Sequence, residues 1–278
     1  MPKKSAGILV YRIEKYLFEV LLVHPGGPFW KNKDNGSWSI PKGEYRDDED
    51  PLKAAIREFK EELGLTITGD FMPLSAVKQK GGKQVAAFAV NSNPDISNIT
   101  SNTVSINWPP KSGKQIMVPE IDKAEWFDIV EASEKINTSQ VPLIDELLSK
   151  IFMLNEQQVI MIRLLGNIIK QKKLVEFYYE SNAGKPNEHK DWRRIEPYMI
   201  AIHNEGAKKG KIYFTGYFLP DSKQRKEGRL EEQKQYYIDK VDATQFKILD
   251  ETFEKPKITY EKIYDTPTVT VFYRTDFK

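Results

Sequence analysis

At 278 residues, with 40% hydrophobic side chains and no apolar stretch of membrane-spanning length, the chain has room for two ordinary soluble domains and is expected in the cytoplasm with no membrane partner. It has no cysteine and three histidines, which excludes a disulfide framework, a thiolate metal site and a cysteine nucleophile, and leaves metal chemistry to carboxylates. The net charge of +2 divides as −2 over residues 1–154 and +4 over 155–278, too small a surplus to announce a polyanion partner by itself.

Residues 6–12 and 18–24 are β-rich runs on either side of a short charged connection, the pattern of a hairpin. His24-Pro-Gly-Gly-Pro-Phe-Trp30 then opens a turn-rich loop that ends at Trp38-Ser-Ile-Pro-Lys-Gly43. His24 reads as an acid–base group or as a hydrogen-bonding group at a strand end. Trp30 and Trp38 either stack on a base or pack the loop, and Lys42 is a candidate phosphate contact.

The stretch 43–65 is the richest in chemistry. Asp50 suits an N-cap, Pro51 a first helical turn, and Gly64 a left-handed helix end, while Leu52, Ala55, Ile56, Phe59 and Leu63 share one face. A helix is predicted. On its other side Glu58, Glu61 and Glu62 crowd a narrow arc; a divalent cation relieves their repulsion, and a solvated acidic face is the ordinary alternative.

Gly43, Glu49, Arg57, Glu58, Phe59, Glu61, Glu62, Gly64 and Leu65 fit one long pattern without a mismatch: Gly, five residues, Glu, seven residues, Arg-Glu, a bulky apolar residue, any residue, Glu-Glu, any residue, Gly, a bulky apolar residue. In this the first half of the chain resembles the Nudix hydrolases. The resemblance implies an α/β/α sandwich with a mixed sheet that uses Mg²⁺ or Mn²⁺ to cleave a nucleoside diphosphate linkage. It implies that Gly43, Glu58, Glu61 and Glu62 hold the metal, with Glu58 also a candidate base, Arg57 orienting Glu58, and Glu49 supporting from behind. The wording around residues 24–30, 38–44 and 108–113 is similar to a MutT-like bacterial branch described as NTP pyrophosphohydrolases.

Beyond the box, residues 71–78 and 84–90 read as strands, 91–102 as a polar loop, and Val104, Ile106 and Trp108 as a half-buried strand. Pro109-Pro-Lys-Ser-Gly-Lys114 interrupts it, and Lys111 there is either a phosphate contact or part of a solvated turn. Residues 118–128 resemble the segment from which a late-loop acid approaches the metals in many Nudix enzymes, which makes Glu120 a candidate fourth acid, with a simple surface Glu before a strand as the alternative. Residues 141–152 have the spacing of a closing helix, and the first domain is expected to end at 154.

In the second half, 156–173 reads as a basic amphipathic helix with Val159, Ile160, Leu164 and Ile168 on one side. Residues 174–180, 194–203, 211–219, 235–241, 259–264 and 268–273 are strand-like, and a small antiparallel barrel is the economical packing. The span 156–253 resembles the WYL domain, a mainly-β Sm- or SH3-like barrel associated with ligand and nucleic-acid sensing, with Ile212-Tyr213-Phe214 in place of Trp-Tyr-Leu. Arg193, Arg194 and Arg225 are the candidate anion face, and Tyr178, Tyr213, Tyr217 and Phe218 read as core and rim.

The sequence therefore predicts a two-domain hydrolase. Residues 1–154 are expected to cleave a nucleotide substrate such as an NTP, an oxidised NTP or a dinucleoside polyphosphate. Residues 155–278 are expected to sense a nucleotide or nucleic acid, or to assemble a homodimer. The competing reading is a non-catalytic regulator that keeps the Nudix fold to bind a nucleotide.

Overall fold

A computed structural model describes residues 3–180, 191–257 and 268–275. The chain divides into two compact units, Met1–Glu14 with Glu19–Leu154, and Lys15–Phe18 with Asn155–Lys278.

The first unit contains β1 (Lys4–Glu14), β2 (Leu17–Pro25), β3 (Lys42–Glu44), α1 (Pro51–Leu63), β4 (Met72–Lys78), β5 (Gln84–Asn91), β6 (Thr103–Asn107), β7 (Gln115–Pro119), β8 (Ile121–Asp128), α2 (Ile129–Lys135) and α3 (Val141–Phe152). Its sheet runs β8-β2-β1-β5-β4, with β1 and β5 parallel and the pairs β2–β8 and β4–β5 antiparallel. The sheet is therefore mixed. Successive residues of a strand point to opposite faces, and Ile8, Leu9 and Val10 are all fully buried, as are Val20 to Val23, so both faces are covered.

Helix α1 covers one of them. Its Ala54, Ala55, Phe59 and Leu63 join Ala6, Ile8, Val10, Leu21 and Val23 in one cluster. Both ends of the helix are specified locally: Asp50 accepts a hydrogen bond from the Lys53 N–H, Pro51 occupies the first turn, and Gly64 closes the helix at φ 71°. Helix α3 packs on β4 through an apolar face that includes Leu143, Ile144, Leu147 and Leu148. Strands β6 and β7 pair only with each other, as a hairpin apart from the main sheet.

The second unit contains α4 (Glu156–Lys170), β9 (Lys173–Tyr179), β10 (Asp191–His203), β11 (Ile212–Phe218), α5 (Ser222–Lys226), β12 (Glu232–Tyr237), β13 (Val241–Thr252) and β14 (Val269–Arg274). The long β10 pairs with β9 through its first half, with β14 through its second, and with β11 along most of its length; β13 extends β9 and β12 extends β11. Among the described residues no pairing joins β12 to β13, so the sheet is open where a closed small barrel was expected. Ile212, Tyr213 and Phe214, which replace Trp-Tyr-Leu, are all buried. The expected strand at 259–264 lies outside the described residues.

Helix α4 starts at a capping box in which Asn155 and Gln158 bond each other's backbone N–H. It buries Val159, Ile162, Leu165, Ile168 and Ile169 and packs on β9, β10 and β14. Ile160 and Leu164, expected on that face, are 50% and 37% exposed, because the apolar stripe runs through Ile162 and Leu165 instead.

Candidate active site

The ends of α1 fix its register, and the register aims three glutamates. Glu58 and Glu62, one turn apart, are buried rather than solvated, while the Glu61 side chain is 40% exposed. Above them lies β3, held on β1 by the pairs Ala6↔Gly43 and Gly7↔Lys42. Gly43 is required by this approach. A Cβ there would stand 1.7 Å from Oε2 of Glu58. Gly7 serves the same junction, since a Cβ on it would lie 2.5 Å from Cβ of Lys42.

Arg57 is the hub of the acids. Its Nε donates to Glu49 at 3.0 Å and its Nη1 to Glu58 at 2.6 Å and to Glu61 at 3.2 Å, while Nη2 reaches the Glu44 carbonyl at 3.3 Å. The hydrogen bond to Glu49, with those to the other acids, holds the Arg57 guanidinium above its ordinary value, and the same bond draws the Glu49 carboxyl down. Glu62 turns the other way and accepts the backbone N–H of Lys42 at 2.8 Å.

Burial dominates the two inner acids. It pushes the Glu62 carboxyl up to about 7 against the pull of Lys42, and it raises Glu58 despite Arg57. Burial also draws the Lys42 ammonium down, against the attraction of Glu62 and with the help of nearby Lys83. Glu120 borders the same cavity as Glu58, Glu62 and Lys42. Its position is set by backbone bonds on both sides: its N–H donates to Asn102 and its carbonyl accepts from Gly26, each at 2.8 Å.

Glu58, Glu61, Glu62, Lys42 and Glu120 border one cavity of about 660 Å³, whereas Arg57 and Glu49 line a different one. One part is ionic, lined by Lys42, Gly43, Glu44, Glu58, Glu61, Glu62, Lys83 and Glu120; the other is apolar, lined by Phe29, Trp30, Val104, Ile106 and Val118. Trp30 packs edge-on against Phe29 at 4.9 Å, with the Lys33 ammonium 3.3 Å over the Phe29 ring. Trp38 is not available for stacking, being 3% exposed, hydrogen-bonded to Asp34 and packed edge-on against Phe127. Both ring nitrogens of His24 are engaged: Nδ1 lies 2.7 Å from Asp122 and Nε2 donates to the Lys33 carbonyl at 2.9 Å, tying the loop to the strand end.

Lys111 is not among the residues bordering the cavity. It is exposed in the turn between β6 and β7, whose stem supplies the apolar wall instead. Lys83 does border it, and nothing in the sequence singled it out. A lysine after Gly81-Gly82 reads as an ordinary turn, and only the pairing of β1 with β5 brings it to the mouth of the site.

Two observations place this site among known proteins. The pattern of residues is seated as one acid cluster under Gly43, and the family model of the NUDIX domain matches residues 1–147, more than half of the chain. The chain belongs to the Nudix family. Among curated relatives it is similar to the mRNA-decapping enzyme subunit 2 of Saccharomyces cerevisiae strain YJM789 and to the m7GpppN-mRNA hydrolase of strain S288c, 27% identical to each over 143 residues. Each match takes in 51% of this chain and 12% of the relative, so the chain spans a small part of their length. Among solved structures, the binary complex of a C. elegans Ap4A hydrolase has 24% identity and TM-score 0.39, with 55% of this chain and 99% of that chain covered. The NUDIX domain of Shewanella oneidensis NrtR complexed with ADP ribose has 13% identity and TM-score 0.41, with 54% and 89% covered.

Nudix enzymes generally use divalent metals. The acids that border this Nudix site offer carboxylate oxygens, the kind of donor that Mg²⁺ and Mn²⁺ take. As they stand, no three acids among the described residues are gathered to hold an ion. Glu58 and Glu61 are turned to Arg57, and Glu62 to Lys42. The donor set fits a divalent cation in kind.

The arginines of the second unit are divided by strand alternation. Arg194 and Arg225 border a cavity of about 310 Å³ with Trp192 and Asp221, whereas Arg193 is buried beside the Phe218 ring, its guanidinium 5.8 Å from the centroid. Arg194 is bonded to Glu251, and Arg225 to Glu231 at 2.6 Å. The expected single face of three arginines is thus two separate places, and the pair that shares a cavity has acid partners.

Proposed function

We propose that the first unit is a Mg²⁺- or Mn²⁺-dependent pyrophosphohydrolase that cleaves a phosphoric anhydride bond in a nucleoside diphosphate-linked substrate. The observation that carries this reading is the single cavity with an acidic, lysine-bearing part for metal and phosphates and an apolar, aromatic part for a base. Glu58, Glu61, Glu62 and the Gly43 carbonyl would hold the metal, with Glu120 alongside. When bound, the dication neutralises phosphate charge and lowers the pKa of a water.

The chain's own residues do the rest. Arg57, anchored on Glu49, keeps Glu58 and Glu61 ordered. Glu58 takes the proton of the attacking water as the new bond to phosphorus forms and the bridging P–O bond breaks. The charge that collects on the departing phosphate meets Lys42, and Trp30 stacks on the base. The second unit is read as a WYL-like accessory module that senses a nucleotide or nucleic acid or builds a homodimer; Arg194→Glu with Arg225→Glu then removes polyanion binding. The cytoplasm is the proposed compartment.

The test is hydrolysis by the full chain with Mg²⁺ across nucleoside triphosphates, oxidised nucleotides, dinucleoside polyphosphates, ADP-ribose and capped RNA. Glu61→Ala and Glu62→Ala serve as controls and should lose at least about a hundredfold in rate. A second reading, the nucleotide-binding regulator, is favoured by the hold that Arg57 keeps on the acids. Tight nucleotide binding with no product from any member of the panel selects it.

A further inference from the structure

The ionic part of the first-unit cavity is short of fixed positive charge. Five carboxylates border it, Glu44, Glu58, Glu61, Glu62 and Glu120, and among the described residues Lys42 and Lys83 are the only cations. Metal ions answer the acids, so a diphosphate still needs partners of its own, and those two ammoniums are the candidates the chain supplies.

Lys83 is built to be one of them. Its backbone is fixed, since its carbonyl accepts the Gln79 N–H at 2.8 Å in a turn that Gly81 and Gly82 shape with φ 94° and 87°, and the next residue pairs with Lys4 of β1. Its side chain, 29% exposed, ends 3.2 Å from Oε1 of Glu44. That same oxygen already has a second lysine, Lys3, at 3.1 Å, and Lys3 is not among the residues bordering the cavity. Glu44 therefore stays neutralised when Lys83 departs. A lysine needed only to balance Glu44 would be redundant, and a lysine with a redundant partner is free to turn to an incoming anion.

Building on the reading of this cavity as a pyrophosphohydrolase site, we propose that Lys83 is a phosphate-binding residue that exchanges Glu44 for a substrate phosphate and, with Lys42, clamps the diphosphate. Lys42 and Lys83 both border the cavity, and an anion bridging two like charges removes their mutual repulsion.

The experiment is calorimetric titration of the full chain with methylenediphosphonate, a diphosphate that cannot be hydrolysed, in saturating Mg²⁺. Lys83→Ala should weaken binding about tenfold, the size of one charge-assisted hydrogen bond at a part-exposed site, and Lys83→Arg should keep most of it. Lys3→Ala removes the same charge from the same carboxylate and should change binding by about twofold or less. Mn²⁺ affinity, read by electron paramagnetic resonance, should be unchanged in Lys83→Ala. Equal binding by wild type and Lys83→Ala, or equal losses in Lys83→Ala and Lys3→Ala, overturns the assignment and leaves the reading of the site intact. No binding by the wild type overturns both.

Discussion

A carboxyl that titrates near neutrality has a measurable effect on the stability of the metal-free protein. Glu62 is raised by burial to about 7 from an ordinary 4.5, so between those values the folded chain holds a proton that the unfolded chain releases. Stability in EDTA is therefore expected to fall as pH rises through that window. Saturating Mg²⁺ favours the ionised carboxylate and should flatten or reverse the trend, which thermal midpoints at pH 5, 6, 7 and 8 will show; a rise with pH in EDTA would contradict the buried, protonated Glu62. Gly43→Ala is the sharpest single change, because its Cβ and the Glu58 carboxylate claim the same space. Its rate should drop at least about a hundredfold with the far-ultraviolet circular dichroism unchanged. At this scale the acids, Arg57 and Gly43 were legible because their spacing along one segment is also their arrangement in space. Lys83 was not, since its role depends on Lys3 and Glu44, which only strand pairing brings to it.

Among the elements, α1 carries its own instructions. Removing the Asp50 side chain leaves the Lys53 N–H without its cap and should cost about 1 kcal/mol, read by urea denaturation of Asp50→Ala. Gly64→Ala should cost at least as much, because the residue sits at φ 71° and a Cβ would press on Thr100 at 3.0 Å. Elements with local start and stop signals or clear alternation, such as α1, α3 and β5, could be read from the sequence for the same reason. Strand β13 could not: it is mostly exposed, its apolar residues Val241, Phe246, Ile248 and Leu249 fall on both faces without alternation, and it has β9 beside it to pair with. Helix α2 offered a signal that went unread, the Asp128 side chain accepting the N–H groups of Val130 and Glu131 ahead of an apolar start.

For the whole molecule, the notable fact is which residues the second unit contains. The turn after β1 belongs to it: the Val271 N–H donates to the Tyr16 carbonyl at 2.7 Å, and Tyr16 and Leu17 pack with Met199, Ala201, Tyr213, Val269 and Val271. Lys15 and Tyr16 both have positive φ, 47° and 68°, the conformation of a tight hairpin turn that favours Asn and Gly. Tyr16 is held there by its packing, while Lys15 is exposed, so Lys15→Asn should stabilise the chain by roughly 0.5 kcal/mol in urea denaturation. The division read from sequence at residue 154 does not foresee these four residues, because the short charged connection between two β-rich runs bears no mark of the partner it joins. A gene that exchanged everything after residue 154 for another module would leave Lys15–Phe18 fitted to a surface no longer present. Grafting this second unit thus needs two seams in the coding sequence.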